Sequence, residues 1–242
     1  MTSNITLLPE VEAAIGALAG PGGYLLPSAG LSRLLGVGPA DWLRFGRNWD
    51  DLERDTHMAD GGSYRYRRYG QYDLDPGTGE LVLLPHAPYR QESDVNPLNG
   101  GVDRLFEPLT DSFTGDPMLP TLLVTLGRVF SAVDGTQRWN IKLHPYRITA
   151  GSEVGRPAPE GRHRDGVTFI TSLLINRINV TGGESSVYSD DGERLLTTTL
   201  SQPGDLLLGD DRRTLHSVTP LHPVDTTAPA HRDVLVMAYT AG

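Results

Sequence analysis

From residue 139 onward the chain is punctuated too often to be helical, and that constrains its fold more than any other feature. Short runs rich in β-branched, leucine and aromatic residues recur at 139–143, 146–149, 167–175, 185–188, 195–200, 205–208, 215–220 and 234–239. Turn signals separate them at Thr181-Gly182-Gly183, Asp190-Asp191-Gly192 and Gln202-Pro203-Gly204-Asp205. Many short strands joined by regular turns predict a sandwich or jelly roll.

The region before them has a different texture. Leu7, Leu8, Val11, Ile15 and Leu18 recur at helical spacing until Gly20-Pro21-Gly22-Gly23 stops the pattern. Ser28 is placed to cap a short helix carrying Leu31, Leu34 and Leu35, and a third helix starts near Pro39 with Trp42, Leu43, Phe45 and Trp49 as its packing stripe. Tyr64-Arg65-Tyr66-Arg67-Arg68-Tyr69 alternates like a strand with two different faces, and 80–84 is a second strand candidate. Residues 94–108 read as a loop, and Leu122, Leu123, Leu126 and Val129 predict one long helix near 120–131. The expectation is a single domain over 1–242, mostly β with flanking helices: a helical portion at 1–60 and a jelly-roll core at 61–242.

Composition narrows the function. The 242 residues carry a net charge of -9, and the acidic balance disfavours nucleic acid or an anionic membrane as a partner. No cysteine is present, so disulfides, thiolate metal sites and cysteine nucleophiles are excluded, and any metal must rest on His, Asp, Glu or water. No apolar run reaches the roughly 20 residues of a membrane span, and Met-Thr-Ser-Asn-Ile-Thr has no leader character. A cytoplasmic protein acting on a small molecule is the expectation, with a homodimer left open.

His163-Arg164-Asp165 is the chemical centre. Residues i and i+2 project from the same side of a strand, so an imidazole and a carboxylate can reach one ion together. His216, His222 and His231 are the candidates for a third ligand. His216 sits in an alternating, strand-like run, whereas His222 precedes Pro223 at a loop entry and His231 opens the last strand. His163, Asp165 and His216 would form the two-His-one-carboxylate face used by iron(II) oxygenases, which leaves three positions open for a chelating cosubstrate and dioxygen. Arg232, on the last strand, has the bidentate fork that would grip the far carboxylate of 2-oxoglutarate; its bland alternative is a surface pair with Asp233.

The chain resembles the bacterial 2-oxoglutarate-dependent dioxygenases similar to L-isoleucine 4-hydroxylase, which act on free amino acids. The matching blocks are Arg65-Tyr66-Arg67-Arg68-Tyr69-Gly70, Tyr89-Arg90-Gln91, Asn96-Pro97-Leu98-Asn99-Gly100-Gly101 with Arg104-Leu105-Phe106, and Pro159-Glu160-Gly161-Arg162-His163-Arg164-Asp165-Gly166. They continue with Asn176-Arg177-Ile178-Asn179-Val180, Gly182-Gly183-Glu184-Ser185, Leu215-His216-Ser217-Val218-Thr219-Pro220 and Arg232-Asp233. The resemblance implies a double-stranded β-helix (a cupin-like jelly roll), Fe(II), 2-oxoglutarate and O2, hydroxylation of an amino acid, and release of succinate and CO2.

A free amino acid needs partners for its carboxylate and its ammonium, and Arg67, Arg147, Gln91 and Glu184 are the candidates. Glu184 follows two glycines, a place where a carboxylate could stand at the barrel mouth. The rival readings are a metal-binding cupin without turnover, a zinc hydrolase on the same ligands, and the same iron chemistry diverted to desaturation or ring closure.

Overall fold

The computed structural model describes residues 8–93, 100–151 and 153–242. The block Asn96-Pro97-Leu98-Asn99 and Leu7 of the first apolar stripe lie outside the described residues. The chain begins with α1 (Pro9–Ala19), β1 (Gly23–Leu26), α2 (Ser28–Leu35) and α3 (Pro39–Gly46), then a 3-10 turn over Arg47–Asp51 and β2 (Glu53–Arg54). Next come β3 (Arg65–Arg67), β4 (Gly70–Asp75), β5 (Glu80–Leu83), α4 (Asp111–Thr114) and α5 (Met118–Asp134). The β-rich half holds β6 (Trp139–Thr149), β7 (Phe169–Ile178), β8 (Val180–Gly182), β9 (Glu184–Ser189) and β10 (Arg194–Thr199). It ends with β11 (Leu206–Asp210), β12 (Thr214–Val218), β13 (Leu221–Pro223) and β14 (His231–Ala241).

A large antiparallel sheet runs β1-β11-β7-β14-β6-β3-β2, with β4 and β5 attached beside β6. A smaller sheet, β10-β9-β12, and the β13-β8 ribbon complete the expected jelly roll. Side-chain alternation divides the large sheet cleanly. Trp139, Ile141, Leu143, Leu235, Met237 and Tyr239 face the helices and form the main core with Leu122, Leu126 and Phe130 of α5. The opposite parity, including His144, Tyr146, Ile148, Arg232, Val234 and Val236, lines the barrel interior. The helix clamps this layer through aromatic packing: Phe130 stacks on Phe169 with centroids 4.5 Å apart, and Tyr239 donates to the Leu123 carbonyl at 3.0 Å.

Several expectations need correction. The strands expected at 139–143 and 146–149 are one continuous β6. Pro145 interrupts nothing because its backbone faces the point where β4 hands over to β3, a gap the Arg68 N–H reaches, 3.4 Å from the Pro145 carbonyl. The 1–60 portion is not purely helical, since β1 pairs with β11 and covers that edge of the large sheet. Ser28 does not cap α2 but is its first residue; its N–H goes to Asp205 Oδ1 at 3.0 Å. Leu43, placed in the packing stripe of α3, is 72% exposed. No helix among the described residues is long and apolar enough to cross a membrane.

Candidate active site

His163, Asp165 and His216 converge inside the barrel, with ligand atoms all within 4.8 Å of one another. His216 stands on β12, as expected. The His-x-Asp segment is not a regular strand: His163 makes a single antiparallel bridge to His216, and Asp165 enters the turn before β7. That turn is built by Asp211, which the sequence reading passed over. Its carboxylate accepts the backbone N–H groups of Asp165 at 3.1 Å, Gly166 at 2.7 Å and Val167 at 3.0 Å. Gly166 makes the turn possible, with φ at +75°. Nothing in Asp210-Asp211-Arg212-Arg213 marks Asp211 as a turn organiser, because the partners are some 45 positions earlier in the chain.

The electrostatics suit a cation. His163 Nδ1 lies 2.9 Å from the Gly161 carbonyl, an arrangement that puts the proton on Nδ1 and leaves Nε2 a lone pair for a metal. His216 Nε2 is 3.3 Å from Asp165 Oδ2. Burial disfavours charge on both groups, yet their attraction outweighs it, so the Asp165 pKa lies below and the His216 pKa above its ordinary value. A divalent ion would replace the proton that this pairing holds. His222, on β13, is exposed, and His231 lies beside Asp233, 3.5 Å from its Oδ2; neither joins the cluster.

Arg232 is not in a surface pair. It is 1% exposed, on the pocket-facing parity of β14, and among the described residues its Nε and Nη2 have no hydrogen-bond partner. Burial, reinforced by Arg177 nearby, pulls its pKa down to about 10. An unpaired buried guanidinium is costly, so this side chain has the chemistry to take an anionic group. Asp233 points to the other face of the strand, where it holds Arg147 through two contacts of 2.8 Å.

The remaining candidates separate. Arg67 and Gln91 line the cavity; Arg147 and Glu184 do not. Arg147 is out of phase with His144, Tyr146 and Ile148 on β6, and Glu184 is out of phase with Ser185 and Val187 at the pocket end of β9 and is exposed. Gly183 serves a different purpose from the one its position suggested: with φ at +68°, it passes so close to Arg232 that a Cβ would sit 3.3 Å from Arg232 Cδ. In place of Arg147 and Glu184 the cavity presents Arg65, Arg104, His144, Tyr89 and Glu160. Arg104 donates to Gln91 Oε1 at 2.9 Å, and Glu160 Oε1 lies 3.8 Å from His163 Nε2. Glu160 stood in the block around His163, three residues before the ligand, and that proximity was the available signal. The cavity opens to solvent at one end and is lined by residues of both the large and the small sheet.

The profile of the 2OG-Fe dioxygenase family matches residues 46–238. The chain belongs to this family. It is therefore a 2-oxoglutarate-dependent non-haem iron dioxygenase, using Fe(II), 2-oxoglutarate and O2, and the zinc hydrolase and silent cupin readings fall away. The observed residues fit these groups: a clustered His-Asp-His face and a buried guanidinium with the charge to suit a carboxylate. The dioxygenase is similar to a 3(1)-hydroxy-L-isoleucine 4-dioxygenase of Pantoea ananatis, 27% identical over 72% of each chain. It is also similar to an L-isoleucine-4-hydroxylase of Bacillus thuringiensis, 25% identical over 78% of this chain and 79% of the other. Among solved structures, a bsmA homolog from Methylobium petroleophilum PM1 superposes with a TM-score of 0.91 at 39% identity, covering 100% of this chain and 97% of that one. The IDO structure from Bacillus thuringiensis shares the fold, with a TM-score of 0.77 at 18% identity over 96% of this chain and 95% of the other.

Proposed function

We infer that this dioxygenase hydroxylates an unactivated C–H bond of a free L-amino acid or a close relative, with release of succinate and CO2. The observation that carries the reading is one cavity lined by the triad, the unpaired guanidinium of Arg232, and a separate set of charged groups of both signs, Glu160 with Arg67 and Arg104. A zwitterion has the complementary charges. The two isoleucine-directed relatives support the same substrate class.

In this reading His163, Asp165 and His216 hold the iron. Iron, with 2-oxoglutarate and dioxygen bound, supplies the oxidising power for the C–H bond. The chain supplies position. Arg232 grips the far carboxylate of 2-oxoglutarate, and Val234 and Val236 beside it on β14 present a dry wall. Arg67 and Gln91 lie where the amino acid is held, and the carbon oxidised is the one this grip leaves nearest the triad.

The test is a mass-spectrometric screen of free amino acids for a one-oxygen gain coupled to succinate formation. Positive substrates should lose activity when the amine is acylated or the carboxylate amidated. Equal turnover of an N-acylated or peptide-bound residue would sink the free amino acid reading. A two-hydrogen loss without oxygen gain would instead identify desaturation or ring closure.

A further inference from the structure

The charges in the substrate half of the cavity do not balance, and the imbalance specifies the substrate more narrowly. At the metal half the reading above is neutral overall: a divalent ion, Asp165, Asp211, Arg232, Arg177 and the two carboxylates of 2-oxoglutarate cancel. The other half is different. Arg65, Arg67 and Arg104 are 7%, 2% and 4% exposed, and the carboxylates set against them among the described residues are Asp55, beside Arg65 and Arg67, and Glu160, which acts on Arg65. Asp55 is largely taken by Arg65, at 2.8 Å from its Nε, and lies 3.9 Å from Arg67 Nη1. Exposed Asp60 also acts on Arg65, but it is bonded to Tyr64 and shared with Arg156.

Among the described residues, the other side chains that touch Arg67 and Arg104 are neutral, and the charged group farther off, Lys142, is a further cation. Arg67 packs over the Phe106 ring at 3.6 Å and the Tyr146 ring at 4.6 Å, with Nη2 against His144 Nδ1. His144 can only accept there, and burial followed by the charge of Arg67 holds its pKa well below the ordinary value, so it adds no charge. Arg104 lies 4.9 Å from the Tyr89 ring centroid and bonds Gln91. The Nε of each guanidinium is buried and, among the described residues, has no partner. Glu160 Oε2 is likewise buried and unpartnered. Burial pushes the Arg67 pKa down, the mark of a cation short of an anion.

A neutral amino acid brings one carboxylate and one ammonium. Its ammonium satisfies Glu160 and its carboxylate one guanidinium, which leaves the second guanidinium buried and uncompensated. An aliphatic side chain would add nothing to correct this. We propose that the substrate is a dicarboxylic amino acid of net negative charge, its carboxylates held by Arg67 and Arg104 and its ammonium by Glu160. This rests on the amino acid reading above and departs from the isoleucine-like substrates named for the relatives.

The experiment titrates the protein, loaded with Mn(II) and 2-oxoglutarate, with L-aspartate, L-glutamate, L-asparagine, L-glutamine and L-isoleucine by calorimetry. The Fe(II) enzyme is then assayed in air with the same five for succinate and oxygen gain. One of the acids should bind at least about tenfold tighter than its own amide and than isoleucine, and should alone be efficiently oxygenated. Arg104→Gln should reduce that acid to the level of its amide, while Arg104→Lys, which keeps the charge, should retain most of the preference. Arg104 is chosen because Arg67 is enclosed between rings, where a substitution endangers the fold; circular dichroism checks both variants. A purely structural Arg104 would weaken acid and amide alike, and that result overturns the proposal. Isoleucine or an amide binding as tightly as the acids overturns it too, while leaving the amino acid reading intact. If none of the five binds and none raises succinate formation, while other classes of small molecule do, both readings fall together.

Discussion

The main chains of His163 and His216 exchange two hydrogen bonds, 3.0 Å and 2.9 Å long, so that the imidazoles stand side by side with centroids 4.3 Å apart. A closely paired bridge of this kind fixes two ligands from distant parts of the chain by backbone alone, before any metal contributes. It explains why the His-x-Asp segment serves as a ligand arm without belonging to a strand.

His163→Ala, Asp165→Ala and His216→Ala should each abolish turnover and iron retention while leaving the circular dichroism spectrum that of the parent. His222→Ala should retain both. Metal content by atomic emission and succinate release check this; an active His216→Ala with an inactive His222→Ala would reverse the assignment of the third ligand.

Arg232→Ala should raise the 2-oxoglutarate requirement steeply, by an amount corresponding to about 2–5 kcal/mol, the usual cost of deleting one side of a desolvated charge pair. The effect should appear in the KM for 2-oxoglutarate and not in the KM for the amino acid. An unchanged 2-oxoglutarate dependence would remove Arg232 from the site.

Arg147→Ala and Glu160→Gln should fail in opposite ways. Without Arg147, the carboxylate of Asp233, 1% exposed, is left without its strongest partner, and stability should fall by about 1–3 kcal/mol with little change in amino acid KM per folded molecule. Glu160→Gln should leave the melting temperature nearly unchanged and raise the amino acid KM. Glu184→Gln should change neither. Thermal melts with steady-state kinetics on the three variants distinguish a structural pair from a binding group.

Acid should destabilise the protein partly through His144. Its folded-state pKa lies well below the ordinary value, because it is buried and faces Arg67, while in the unfolded chain it titrates near about 6.5. Its contribution to stability is therefore full above that pH and declines as the pH falls below it. Melting temperatures between about pH 7.5 and 5.5 should fall more steeply for the parent than for His144→Gln; parallel curves would show that His144 does not set the slope.

The jelly roll and the long helix were legible because each rests on a local pattern, alternation or helical spacing; His163, Asp165, His216 and Arg232 came forward by residue type and position, although the strand expected to carry the His-x-Asp pair is absent. Side-chain parity across strands was not legible. Arg147 and Arg232 are both arginines on strands, and only the register Asp233↔Arg147, a pairing across 86 positions, shows that one faces away from the cavity. The alternation at 64–69 was visible, but not that Arg65 and Arg67 point inward, because a buried guanidinium is accepted only where Asp55, rings and the cavity receive it. Asp211 and Glu160 were missed for a related reason: their partners are supplied by the fold or by a ligand.

Asp211 also bears on how the enzyme survives without its metal. Because its carboxylate ties down three consecutive amides of the ligand turn, the aspartate arm is organised by the chain itself. Iron lost to a chelator or to oxidation should then leave an empty but intact cradle, one that accepts fresh iron or a spectroscopic substitute such as Co(II) on mixing, with no refolding step to limit the rate.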